Sequence, residues 1–168
     1  MNLDLLNQLS EEEAKAELLR CCGSKRWAAQ MLERRPFSGT PDLLAAAEDI
    51  WNALSAYDWI EAFSRHPKIG DLESLRAKFA TTQKWAEGEQ AGVKSAPEEV
   101  LKALAEGNER YEKKFGFIFI VNATGKGAEE MLRLLKERLS NDLATELKIA
   151  AAEQNKIIRI RLQKLLQT

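Results

Sequence analysis

The sequence predicts an all-α fold, on three observations. Capping residues repeatedly stand directly before amphipathic runs, the apolar residues inside those runs recur at the helical period, and one short stretch alone is rich in aromatic and β-branched residues. About eight helices and one short, buried extended segment near 116–123 are expected, in a single domain over 1–168.

Ser10 with Glu13 forms a capping-box pattern that opens a helix over 11–22, and Gly23 can close it. Ser24 caps the next run, 25–35, which has to stop before Pro36 because the residue ahead of a proline is biased away from helix. Thr40, Pro41 and Asp42 open a third helix reaching Leu54, since a proline in the first turn loses no needed hydrogen bond. Ser55 caps a fourth helix over 56–66, ended by Pro67. Asp71 caps 72–80, and a further helical stretch covers 82–93. Pro97 begins a long amphipathic run that ends at Gly116. The last third holds helices over 128–139 and 143–166, separated by the capping candidates Ser140 and Asn141.

The β-like stretch is "FGFIFIVNATG", 115–125, bounded by glycines. One strand cannot build a sheet within one chain, so a buried extended connection between helices is expected there. Neither an internal repeat nor a low-complexity tract divides the chain.

Composition narrows the function classes. Charged residues make up 30% and hydrophobic residues 45%, and acids and bases cancel to a net charge of -1. A nucleic-acid binder needs surplus lysine and arginine on one face to replace phosphate counterions, and here the bases are interleaved with acids. No apolar run approaches the roughly 20 residues that span a bilayer. The N-terminus "MNLDLLNQLSEEE" has neither a basic nor an apolar leader region, and the C-terminus "RLQKLLQT" lacks a peroxisomal address, so a cytoplasmic protein is expected. Adjacent Cys21 and Cys22 read as reduced thiols, and one histidine without spaced cysteine pairs supplies no zinc ligand set.

Three ionisable groups fall on apolar faces. His66, the single histidine, shares a helical stripe with Trp59, Ala62 and Phe63 and precedes Pro67. At a helix C-terminus the dipole favours imidazolium, a candidate general acid; a core-edge histidine donating to a helix-end carbonyl fits the same pattern. Glu89 lies in line with Thr82, Trp85, Ala86 and Val93, where an apolar residue is expected, either as a functional carboxylate or as a solvated stripe edge. Gln90 stands one step round that helix and can add amide hydrogen bonds. Arg161 projects from the apolar side formed by Ile157, Ile158, Leu162 and Leu165, whereas Arg159 lies in line with polar Asn155 and Gln163. A guanidinium held by an apolar wall suits forked binding of a carboxylate or a planar urea-like group; internal pairing, for instance with Glu89, is the alternative. "NATGKG", 122–127, is no phosphate loop, because the required earlier glycine is replaced by Ile120 and Lys126 is followed by Gly127.

Taken together, "RPF" at 35–37, "HPKIG" at 66–70, "WAEGEQAGV" at 85–93, "NERYEKKFGFIFIVNATGKG" at 108–127 and "ELKIA…RIRLQKLL" near the end resemble the 2-oxo-4-hydroxy-4-carboxy-5-ureidoimidazoline decarboxylases of urate breakdown. The pieces occur in order across nearly the whole chain and are specific as a set. The resemblance implies an all-α homodimer acting on a small molecule, a cofactor-free lyase that releases carbon dioxide and leaves (S)-allantoin; composition already argues against nucleic acid, membrane and a metal site. It also implies roles for residues. His66 matches the catalytic acid, Glu89 and Gln90 the pair that holds substrate, Pro67 a substrate contact, and Arg161 the arginine of the last helix. Phe119, Ile120, Val121, Asn122 and Ala123 match the segment whose backbone lines the pocket. Ala86 is a departure from the serine usual after the motif tryptophan: a hydroxyl contact is missing, which is harmless where substrate is held through the backbone and otherwise weakens affinity or alters specificity. A helical interaction module is one competing expectation; it would pair Glu89 with Arg161 and leave no open cavity beside His66. A related ureido-acid lyase with altered specificity is the other, and product analysis separates it.

Overall fold

The computed structural model describes residues 1–68, 71–79 and 97–167. Every regular element among them is helical, and none of the helices is long and apolar enough to cross a membrane. The packing divides the chain into two compact units, Met1–His66 with Ile149–Thr168, and Pro67–Lys148.

The first unit contains α1 (Leu3–Gln8), α2 (Glu11–Cys21), α3 (Lys25–Glu33), α4 (Thr40–Ala53), α5 (Ala56–Ser64) and the larger part of α9 (Leu143–Leu165). The serine caps fall where the sequence places them. Ser10 and Glu13 complete a capping box, and the Ser24 and Ser55 side chains accept from the backbone N–H of Trp27 and Asp58. Each cap satisfies a donor that the first helical turn leaves unpaired. The core gathers Leu6, Leu18, Trp27, Met31, Leu43, Trp51, Phe63, Ile158 and Leu162. Three indole N–H groups pin helix to helix. Trp27 donates to the Ala47 carbonyl at 3.2 Å, Trp51 to Ala151 at 2.8 Å and Trp59 to Trp51 at 2.9 Å.

The second unit contains the helical residues 72–79 (α6), α7 (Glu98–Phe115), α8 (Ala128–Leu139) and the first residues of α9. Gly116 ends α7 with φ 83°, a left-handed conformation that glycine adopts without a Cβ clash. A Cβ on Gly107 would lie 2.5 Å from Leu135 Cδ2, so the glycine lets α8 approach α7 closely. The Tyr111 ring packs against Phe115, Phe117 and Phe119 at centroid separations of 4.6, 5.9 and 5.3 Å. Residues 117–123 form neither helix nor strand; Phe117 and Ile120 are buried and the others half-buried.

One element and two helix ends differ from the sequence expectation by more than a residue. α1 was not expected at all. α3 ends at Glu33 and α5 at Ser64, each two residues early, because Arg34 and Arg65 act as C-caps whose N–H groups close onto the preceding turn. The expected helix over 82–93 lies outside the described residues.

Candidate active site

His66 follows the Arg65 cap of α5, and its backbone N–H donates to the Phe63 carbonyl at 3.2 Å. The stripe that carries it is buried at Ala62 and Phe63, while Trp59 and His66 itself are half-buried. Gly23 matters here for a reason the sequence did not suggest. It does not supply a left-handed cap; Cys22 caps α2 in extended conformation. A Cβ at Gly23 would instead sit 2.5 Å from the Arg65 Cβ, so glycine leaves room for the Arg65 stem against the end of α2.

Both ring nitrogens of His66 have partners from α9. Nε2 makes a short hydrogen bond with Gln154 Oε1, and Nδ1 lies 3.4 Å from Arg161 Nη2. Arg161 Nη1 donates to the Cys21 carbonyl at 3.4 Å, which ties the guanidinium to the end of α2. Residues 154 and 161 are two turns apart on one helix, so a single face of α9 presents both to the ring.

The imidazolium expectation for His66 is overturned. Burial lowers its pKa below the ordinary 6.5 and outweighs the Gln154 hydrogen bond, which raises it; the Arg161 charge lowers it further. The helix dipole acts only over the last turn, whereas desolvation and a neighbouring cation act on the ring directly. His66 is therefore neutral at pH 7. Burial likewise raises the Cys21 and Cys22 thiols, to about 11 and about 12, so neither is a thiolate nucleophile.

His66 and Arg161 open onto a cavity of about 470 Å³. Its charged lining is Arg20, Arg65, Arg161 and Lys164 against Glu17 alone, and Glu17 already pairs with Arg20 at 3.2 Å. The cavity therefore favours an anion. Of the remaining sequence candidates, Arg159 is exposed as expected. Pro67 is exposed at the start of the second unit. Glu89, Gln90 and Ala86 lie outside the described residues.

Phe119 to Ala123 belong to the second unit and are held from below by a buried polar network. Glu146 is fully buried; its Oε1 accepts from Arg138 Nε at 2.6 Å and from the Tyr111 hydroxyl, and its Oε2 accepts from Asn141 at 3.1 Å. The same arginine donates through Nη1 to the Ile120 carbonyl at 2.7 Å and lies over the Phe119 ring, 4.5 Å from its centroid. Burial and the Glu146 bond push the Tyr111 phenol far above its ordinary range, so it stays a neutral donor. Asn122 shapes the following turn, accepting at Oδ1 from the Thr124 N–H at 3.3 Å, with its carbonyl accepting from Lys126 Nζ at 2.7 Å.

The OHCU decarboxylase family model matches residues 7–163. The chain belongs to the OHCU decarboxylase family. It is 40% identical over 159 residues to the uric acid degradation bifunctional protein TTL of Arabidopsis thaliana, covering 94% of this chain and 48% of that protein. The chain thus spans about half the length of the plant relative. It is 30% identical over 140 residues to the 2-oxo-4-hydroxy-4-carboxy-5-ureidoimidazoline decarboxylase of Amia calva, covering 83% of this chain and 79% of that one. A crystal structure of OHCU decarboxylase in the presence of (S)-allantoin superposes with TM-score 0.72 at 40% identity, covering 90% of this chain and 98% of that chain. The all-α architecture expected from the sequence is that of the OHCU decarboxylase family.

Gln154, Arg138, Tyr111 and Glu146 were not among the residues singled out in the sequence. A signal for two of them was present. Residues 146, 150, 154, 158 and 162 form one stripe at intervals of four, apolar at Ala150, Ile158 and Leu162 and polar at Glu146 and Gln154; all five are buried. The test that singled out Glu89 and Arg161, a polar residue where an apolar one belongs, finds both.

Proposed function

We propose that this chain decarboxylates 2-oxo-4-hydroxy-4-carboxy-5-ureidoimidazoline to (S)-allantoin and carbon dioxide. The observation that carries the proposal is the His66–Arg161 pair, lining a cation-rich cavity, in a chain whose family match runs through both compact units. Residues 1–168 constitute one decarboxylase domain, and the protein works as a cytoplasmic homodimer without cofactor. Two free, buried cysteines suit a reducing compartment, and the homodimer follows from the family resemblance.

The substrate carries its own electron sink. Its C4 bears both the hydroxyl and the carboxylate, and the adjacent ring carbon, which bears the ureido group, is doubly bonded to nitrogen. When the bond to the carboxylate breaks, carbon dioxide leaves and the electron pair enters that C=N system, giving an enol and a ring nitrogen that takes up a proton from solvent. Loss of the hydroxyl proton converts the enol to the carbonyl, and a proton is added to the ureido-bearing carbon. A base and an acid are thus needed in turn on neighbouring atoms. A histidine that rests neutral can take the hydroxyl proton and return it to the neighbouring carbon from one face, which sets the S configuration. Arg161 binds the anionic substrate and charge developing on the ring. Glu89 and Gln90 orient the hydroxyl or ureido group, and Pro67, Ala86 and the backbone of Phe119 to Ala123 are substrate contacts that the family resemblance implies.

The test is to supply freshly generated substrate, made from urate with urate oxidase and hydroxyisourate hydrolase, and to follow (S)-allantoin by circular dichroism. Wild type should give a fast signal, and His66→Ala should lose about 10²- to 10⁴-fold in kcat, the span of positioned acid–base catalysis. A wild-type protein that yields only the slow racemic background refutes the assignment.

A further inference from the structure

We infer that Gln154 is a positioning residue: its side-chain carbonyl holds the proton of the neutral His66 ring on Nε2 and so makes Nδ1 the nitrogen that exchanges protons with substrate. The inference rests on the decarboxylase proposal for its meaning in turnover, whereas the arrangement itself rests on three contacts within one compact unit.

The steps are chemical. A guanidinium has donors and no acceptor, so the His66 nitrogen facing Arg161 Nη2 at 3.4 Å must present its lone pair. In a neutral imidazole the other nitrogen then carries the proton, which places N–H at Nε2. An N–H there requires an acceptor, and the atom that meets it is Gln154 Oε1. Turning the Gln154 amide over would set its N–H2 against that N–H. The opposite tautomer would set Nδ1–H against the arginine. One combination satisfies all three side chains.

The environment of Gln154 keeps it in that orientation. The residue is fully buried on the stripe shared with Ala150, Ile158 and Leu162, and its Nε2 has no hydrogen-bond partner among the described residues. A buried amide donor left unpaired is costly, so the amide is held by what its oxygen does for the ring. Nδ1, by contrast, faces the guanidinium that lines the cavity with it. Once Arg161 turns its donors to a bound anion, the Nδ1 lone pair is free to accept the hydroxyl proton. The imidazolium so formed is stabilised through Nε2–H by Gln154 while the proton waits for the neighbouring carbon. The charged groups facing the ring and its cavity are Arg65 beside it, Arg161 and Lys164 from α9, and Arg20 and Glu17 from α2.

His66 is the chain's single histidine, so isotope-labelled histidine in protein without a histidine tag gives one imidazole to observe by nitrogen NMR across pH. In wild type the neutral ring should show Nε2 protonated and Nδ1 bare. Gln154→Met should lower the ring's pKa and mix the tautomers, and Gln154→Glu should raise the pKa. In the product assay Gln154→Met should keep KM within about twofold and lose up to about 10²-fold in kcat, the cost of a misplaced catalytic group. A wild-type ring protonated on Nδ1 overturns the inference, and so do Met and Glu variants that titrate as wild type does. If Gln154→Met fails to fold, the wild-type tautomer and the Gln154→Glu titration decide. Because the spectra need no substrate, a wild type with the expected tautomer but no (S)-allantoin production would refute the reaction and leave the role of Gln154 on the ring intact.

Discussion

Replacing Arg138 with leucine should cost about 4 kcal/mol of stability, and the estimate follows from what it leaves behind. Glu146 is fully buried and pairs with Arg138 through one oxygen, Oε1, which accepts a hydrogen bond from Nε at 2.6 Å and lies 2.5 Å from Nη2. Breaking a buried ion pair by deleting one partner typically costs about 3–5 kcal/mol, because the other charge remains without compensation. The Ile120 carbonyl loses its 2.7 Å donor as well, a loss of about 1 kcal/mol when the group stays buried. The Tyr111 hydroxyl and the Asn141 amide still reach the carboxylate, so the total belongs near the middle of the range. Urea denaturation followed by far-ultraviolet circular dichroism measures it. The second half of the test is the double variant Arg138→Leu, Glu146→Gln, which removes the stranded charge and keeps a polar partner for Tyr111 and Asn141. It should recover about 1–3 kcal/mol over the single variant. A loss below about 1 kcal/mol in the single variant, or a double variant less stable than the single, would refute an uncompensated buried carboxylate as the cause.

The lowered pKa of His66 has a definite sign in stability. The unfolded chain takes a proton at pH 6.5 that the folded ring still refuses, so stability is lost as pH falls from 6.5 towards the folded value. His66→Gln should flatten that part of a pH series of urea midpoints, and an unchanged slope would contradict it; the acid limb of kcat/KM should likewise lie below pH 6.5. The cation-rich cavity predicts that kcat/KM falls as salt rises, and that Arg65→Ala raises KM about two- to five-fold at low salt, the worth of an exposed charge contact; KM values indifferent to both changes would exclude steering by this lining. Because Arg161 lowers the His66 pKa, Arg161→Gln should raise it in the same nitrogen NMR titration while weakening substrate binding, and a falling pKa would show that the guanidinium does not face the ring.

Helix starts were legible because a cap is a local device: Ser10, Ser24 and Ser55 each bond to a backbone N–H three residues on, and three residues suffice to see it. α1 was not legible because six residues are too few to hold a helix on propensity. What holds it is distant in sequence, namely Arg35 donating to the Leu6 and Leu9 carbonyls at 3.0 and 2.8 Å, and Asn7 bonded to both backbone groups of Phe37 at 2.9 and 3.0 Å. At the site, the positions of His66 and Arg161 on apolar stripes could be read from spacing, and the structure places the two side chains together. The charge of His66 could not. It is set by desolvation and the Arg161 charge against the Gln154 hydrogen bond, and both of those partners come from α9, some ninety residues away.

A glutamine at position 154 suits a group that must be a base first and an acid second. A carboxylate there would hold the ring as imidazolium, as aspartate and glutamate do when paired with histidine, and the resting ring would have no lone pair to offer. An apolar side chain would leave Nε2–H buried without an acceptor and the tautomer unfixed. The amide carbonyl lies between these limits. It raises the His66 pKa without overcoming burial and Arg161, whose net effect is a lowered pKa, and it gives the Nε2–H an acceptor in both the neutral and the charged ring. Arg161 weighs on the other side and relaxes when an anion occupies its donors. On the proposed reaction, an anion that engages Arg161 draws away the neighbour that lowers the His66 pKa and leaves the one that raises it, so the ring's basicity rises when substrate binds.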